Sequence, residues 1–108
     1  MSIEVEKAKT KEQLDTIFKI REVVFVFEQE VDPTVEYDEF EESSTHFLAN
    51  VEGIPAGTAR WRFTKNGIKL ERFAVLKNMR GKGVGQALVQ AVLDDIENSE
   101  ESKDKLLY

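Results

Sequence analysis

The residues best placed to do chemistry are Arg80-Gly81-Lys82-Gly83-Val84-Gly85. They hold three of the chain's six glycines within five positions. A strand-like run, Leu70-Glu71-Arg72-Phe73-Ala74-Val75-Leu76, leads into them, and helical spacing follows. A helix opening there leaves its first backbone N–H groups without intrahelical partners, and the helix dipole adds positive potential. Together these form an anion site suited to phosphate. Glycine removes the Cβ atoms that would hold a phosphate off the backbone. Arg80 and Lys82 add charge-assisted hydrogen bonds. The stretch is not a P-loop, because Lys82 is followed by Gly83, nor a dinucleotide fingerprint, which would need glycine in place of Gln86. The plainer alternative is a strand-to-helix turn whose glycines only relieve strain. Two basic side chains inside the turn of an acidic protein weigh against it.

Composition narrows the classes. The chain has 108 residues, net charge −6 and a pI near 4.9. One domain, 1–108, is expected. The charge argues against non-specific nucleic-acid binding. With no cysteine and a single histidine, His46, neither disulfides nor a thiolate or histidine-cluster metal site is expected. No apolar run approaches the ~20 residues that span a bilayer, and the N-terminus is too polar for a signal peptide. The expectation is a cytoplasmic protein without membrane contact.

The elements that must position the turn read as follows. Ile3 and Val5 alternate with Glu4 and Glu6 as a first strand. Thr10 and Gln13 have capping-box spacing. Apolar residues at 14, 17, 18, 24 and 25, with Arg21 as an exception, predict a helix over 11–27. Asp32-Pro33 ends it, and a short second helix is expected over 34–40. Three antiparallel strands are expected over 46–52, 56–64 and 68–76, joined by a turn at Gly53-Ile54-Pro55 and a hairpin at Asn66-Gly67. A helix over 84–98 and the start of a strand at Leu106-Leu107-Tyr108 complete an α/β mixed-sheet order, β-α-α-β-β-β-α-(β).

Arg80, Gly83 and Gly85 in the pattern R-x-x-G-x-G, the strand LERFAVL before them and the segment IREVVFVFEQEVDPTVEYDEF resemble the GNAT superfamily of N-acetyltransferases, in particular the small stand-alone bacterial ElaA-like type. The resemblance runs over most of the chain. It implies an N-acetyltransferase that moves an acetyl group from acetyl-CoA to a primary amine of a small molecule or peptide by direct attack on the thioester. An acyl-CoA-binding module without turnover is the alternative. Dimers are common in the family, so a homodimer is a further expectation.

By the same resemblance, backbone amides of Arg80, Gly81, Lys82, Gly83, Val84, Gly85 and Gln86 hold the pyrophosphate. The backbone of Phe73, Ala74 and Val75 pairs with the pantetheine arm, as an added strand would. The Val75 amide polarises the thioester carbonyl. Glu71 stands where the family places a base, a role that needs burial to raise its pKa; pairing with Arg72 or Lys69 is its simpler reading. Glu28 is a second candidate on the amine side, with a solvated helix end as the simpler reading. His46 reads as a structural histidine, Trp61 and Phe63 as core or groove lining, and the acidic run 36–42 as a solvated face. The family continues for several elements past this helix, including a tyrosine that protonates the leaving thiolate. The chain is therefore expected to be C-terminally incomplete, with Tyr108 not in that role.

Overall fold

The computed structural model describes residues 2–28, 44–99, 105 and 107, with 26–28 as backbone. The expected helix over 34–40 and the acidic run 36–42 lie outside them.

Strand β1, Ile3–Lys7, is followed by helix α1, Lys11–Arg21. Thr10 closes the helix start as expected. Its Oγ1 accepts from the Gln13 N–H at 3.1 Å, and Gln13 Oε1 accepts from the Thr10 N–H at 2.9 Å. The single helix expected over 11–27 is two pieces, because a π-helical segment, Glu22–Glu28, takes over after Arg21. Adjacent β-branched Val23 and Val24 fit poorly against a preceding α-turn. In the wider turn Val24 is buried and Val23 exposed. Arg21 is not an exception to the inner face. It is buried there, its guanidinium carbon 5.3 Å from the centre of the Phe18 ring.

Three strands follow: β2, Thr45–Val51; β3, Ile54–Thr64; and β4, Gly67–Val75. They pair antiparallel in the order β1-β2-β3-β4. The turn expected at 53–55 sits one residue earlier. Glu52 and Gly53 both take positive φ, 50° and 82°, the requirement of a two-residue hairpin whose twist matches the strands. Pro55 therefore belongs to β3, beside the irregularity at Ala49/Asn50, where a missing N–H is tolerated. The second hairpin turns through Lys65-Asn66, and the Thr64 hydroxyl accepts from the Asn66 N–H at 3.1 Å. Leu107 forms a parallel bridge with Ile68, which makes the pairing mixed.

A 3-10 turn, Lys77–Met79, links β4 to helix α2, Val84–Glu97. The sheet has a helix on each face. Phe47, Ala49, Trp61 and Ile68 pack with Val84, Leu88, Val92 and Ile96 of α2. Leu48 and Ala74 pack on the other face with Ile17, Ile20 and Val24. Two-sided burial is why β2 lacks a clean polar-apolar alternation.

Candidate active site

The three glycines of the turn answer to two different demands. Gly81 and Gly83 take φ of 78° and 90°, which L side chains rarely adopt, so the backbone requires glycine there. Gly85 has no such φ, and a Cβ built on it meets nothing within 4 Å. Its missing side chain leaves space rather than relieving strain. That space belongs to a cavity of about 840 Å³ lined by Phe73, Gly83, Gly85, Gln86, Ala87, Val89 and Gln90. Gly83 is the N-cap of α2 and brings no side-chain cap. The first bond into the helix is Ala87 N–H to Gly83 O, at 3.0 Å. The amides of Val84, Gly85 and Gln86 precede it and point out of the helix start. Open space and uncapped donors meet at one place, and this donor set fits a pyrophosphate.

Strand β4 reaches the same cavity through a bulge. Arg60 pairs with Glu71 but Thr58 pairs with Ala74, so Ala59 faces both Arg72 and Phe73. Arg72 has φ 57°, a left-handed conformation that costs a non-glycine residue about 1–2 kcal/mol. The extra residue reverses the strand's parity. Ile68 and Leu70 lie on the α2 face, and beyond the bulge so do Phe73 and Val75, while Ala74 packs on the α1 face. Without the bulge Phe73 would point away from the cavity it lines.

The ladder decides which backbone groups remain for a ligand. Leu76 N–H donates to Ala56 O at 2.9 Å, so 76/56 is a hydrogen-bonded position of the ladder. Alternation puts the Ala74/Thr58 pair in the same class and turns both backbone groups of Val75 to the outer side. By the same alternation the polar groups of Ala74 turn toward β3, which leaves Val75 as the better placed of the expected pantetheine contacts. The Val75 carbonyl, on the outer side, accepts from Arg80 Nε at 2.9 Å. Arg80 thus spends a donor on the strand, a use that the phosphate role did not foresee.

Gly57 holds strand and helix together. A Cβ there would lie 2.8 Å from Ala74 O and 3.1 Å from Leu88 Cδ1 and Val84 Cγ1. Only a glycine lets α2 sit this close to β3 and β4. Nothing local in the sequence signalled that role.

Glu71 lies in a charge cluster on the α1 face. Oε1 accepts from Arg60 Nε at 3.0 Å, Arg60 Nη2 at 2.7 Å and Arg62 Nε at 2.6 Å. Lys69 Nζ stands 3.6 Å from Oε2. The Arg60 side chain is fully buried. Burial pushes the Glu71 pKa up, but the hydrogen bond from Arg62 and the charge and hydrogen bonds of Arg60 outweigh it, and the net shift is downward. This reverses the direction that a base at Glu71 requires. Of its two expected simple partners, Lys69 is near, while the hydrogen bonds come from Arg60 and Arg62. Their alternate spacing, 60 and 62 on one strand face, was the signal that placed them opposite Glu71.

The remaining candidates separate. His46 is buried on β2, edge-on to Phe18 with ring centres 6.0 Å apart, in a structural position. Glu28 closes the π-helical segment. Trp61 is buried and donates from Nε1 to Asp95 Oδ2 at 3.0 Å, and Phe63 packs edge-on to it. Among the described residues no group of three metal-binding side chains occurs.

Residues 6–107 match the family model described as an acetyltransferase (GNAT) domain. The chain is 44% identical over 85 residues to the uncharacterized N-acetyltransferase YjcF of Bacillus subtilis strain 168, covering 79% of this chain and 61% of that protein. It therefore spans about three fifths of that relative's length. The crystal structure of Escherichia coli ElaA superposes with a TM-score of 0.79 at 23% identity, over 98% of this chain and 76% of ElaA. The paia N-acetyltransferase of Thermoplasma acidophilum, solved in complex with coenzyme A, gives a TM-score of 0.66 at 16% identity, over 90% of this chain and 73% of that one. At these identities the two structures establish the fold.

Proposed function

The chain belongs to the GNAT acetyltransferase family, and from that premise we propose that it binds acetyl-CoA and passes the acetyl group to a primary amine. The observation that carries this reading is the open cavity at Gly85, where uncapped helix amides stand beside the outward backbone of β4. The paia enzyme, solved with coenzyme A, shares the fold and supports the ligand class.

Acetyl-CoA supplies the acetyl group as an activated thioester. The amides of 81–86 would receive its pyrophosphate, with Lys82 adding charge. The outward backbone of Val75, with Phe73 beside it, would receive the pantetheine arm as an added strand. The Val75 N–H is the assigned donor to the thioester carbonyl. A donor already fixed in place by the sheet stabilises developing charge without reorganising.

Glu71 is assigned to the acceptor side as an anion. Its Oε1 takes all three guanidinium bonds, while Oε2 has Lys69 Nζ at 3.6 Å and is left for a further donor. A carboxylate held charged in this way accepts a hydrogen bond from the amine but draws a proton weakly.

Calorimetry of the 108-residue chain with acetyl-CoA, and with 3′,5′-ADP as control, tests the reading. Saturable binding of acetyl-CoA, at least about tenfold tighter than the control, is the expected result. Equal affinity for both would remove the pantetheine site. Thiol release above the no-amine background then separates an enzyme from a binding module without turnover.

A further inference from the structure

The turn between β4 and α2 contains a side-chain tie that the acetyl-transfer reading leaves unexplained. Arg80 Nε reaches back to the Val75 carbonyl, 2.9 Å away. Val75 is the strand residue whose backbone faces the outer edge. The chain between them is held by three backbone bonds and by Leu76 and Met79, which pack against the two cores. Leu76 N–H bonds Ala56 O, Met79 N–H bonds Leu76 O, and Arg80 N–H bonds Lys77 O at a long 3.4 Å. The 3-10 turn at 77–79 has no side-chain cap, and Lys77 and Asn78 are exposed. The guanidinium adds a tie across the exposed part of this segment, Lys77 and Asn78.

We infer that Arg80 is a positioning residue that sets the spacing between the Val75 amide and the amides of 81–86. This rests on the acetyl-CoA reading. One ligand has to satisfy both sets of donors, and its covalent length is fixed. A drift of about 1 Å between them breaks one end when the other is bound, a misplacement able to cost up to about a hundredfold. The Arg80 charge is then secondary to its reach. The guanidinium is exposed, where solvent screens its charge.

Chain length separates reach from charge. A glutamine Nε2 lies the same number of bonds from Cα as an arginine Nε, so Arg80→Gln keeps a donor at that place and loses the charge. Arg80→Lys keeps the charge and carries its nitrogen one carbon further. The ligands are acetyl-CoA and 3′-phosphoadenosine 5′-diphosphate, which has the pyrophosphate but no pantetheine. Arg80→Gln should bind acetyl-CoA within about threefold of the parent, and Arg80→Lys and Arg80→Ala about tenfold more weakly, all three holding the nucleotide within about threefold. In the ligand-free protein, the Met79 and Arg80 amides should exchange faster in the lysine variant and not in the glutamine variant.

The opposite ranking, with lysine preserved and glutamine weakened on both ligands, would make Arg80 a phosphate ligand and overturn the inference. So would equal affinities across all variants, or unchanged amide exchange in Arg80→Lys. Failure of the acetyl-CoA reading itself shows separately, as a parent chain that does not prefer acetyl-CoA to the nucleotide. Melting curves of each variant separate misfolding from loss of the tie.

Discussion

The outer edge of β4 and the Arg60–Glu71 cluster share a strand and treat polar groups in opposite ways. At the edge and in the glycine turn, backbone groups face a cavity, and the glycine at 85 keeps it open. In the cluster, side-chain charges turn on one another. Three N–H donors converge on a single carboxylate oxygen over a fully buried guanidinium. The first arrangement is ready for a ligand, because its donors are fixed but not spent. The second has spent most of its capacity holding itself. One bulge at Arg72 divides them, sending Glu71 to one face and Phe73 to the other.

If that contrast is right, filling the open site should cost most. Gly85→Glu places a carboxylate where a pyrophosphate is expected, and like charges there cost several kcal/mol. Acetyl-CoA affinity should fall by about a thousandfold or more, with a melting temperature close to the parent's. Retained binding in a folded Gly85→Glu protein would remove the cavity as the site.

In the cluster, Glu71→Gln should cost about 1.5–3 kcal/mol of stability at neutral pH, the range for hydrogen bonds to charged groups. The Glu71 pKa is depressed in the folded chain. The contribution is therefore present above the ordinary carboxylate range and is lost as the pH falls through the folded value. Denaturation curves of parent and variant should converge in acid. On the chemistry, the variant should raise KM for the amine and leave acetyl-CoA affinity unchanged. A drop in kcat that follows a single ionisation, with KM unchanged, would return Glu71 to the base role.

Gly57→Ala tests the packing that joins the two regions. Its Cβ would lie 2.8 Å from a backbone oxygen, and overpacking of this kind costs about 1–3 kcal/mol. Both melting temperature and acetyl-CoA affinity should fall, since the proposed site takes one half from β4 and the other from α2. The smallest effect is expected far from both regions. Thr10→Ala removes a helix cap worth about 1 kcal/mol, should lower the melting temperature and should leave ligand affinity unchanged.

Much of the architecture was legible because it follows local rules. The capping box at Thr10, the hairpin near Asn66, the strand into the glycine turn and the spacing of α2 each depend on a few neighbouring residues. The glycine turn was legible for the same reason, since positive φ and uncapped amides are local properties. Where neighbours were insufficient, the reading slipped. Arg21 looked like an exception in an apolar stripe, yet it is buried on the inner face beside the Phe18 ring. The turn at Glu52-Gly53 moved by one residue because strand twist asks for two positive φ values in succession. A base at Glu71 asks for burial to raise its pKa, and the cross-strand register brings two arginines that lower it instead.

The sequence by itself determined which residues form the glycine turn at a helix start, and that a strand runs into it, because backbone geometry and periodicity are written in adjacent residues. Tertiary structure alone decided which side of β4 faces the cavity, which amides are left over from the ladder, and which cations stand against Glu71. Each of those depends on a bulge or a pairing between strands, and a pairing energy exists only once residues distant in the chain are brought into contact.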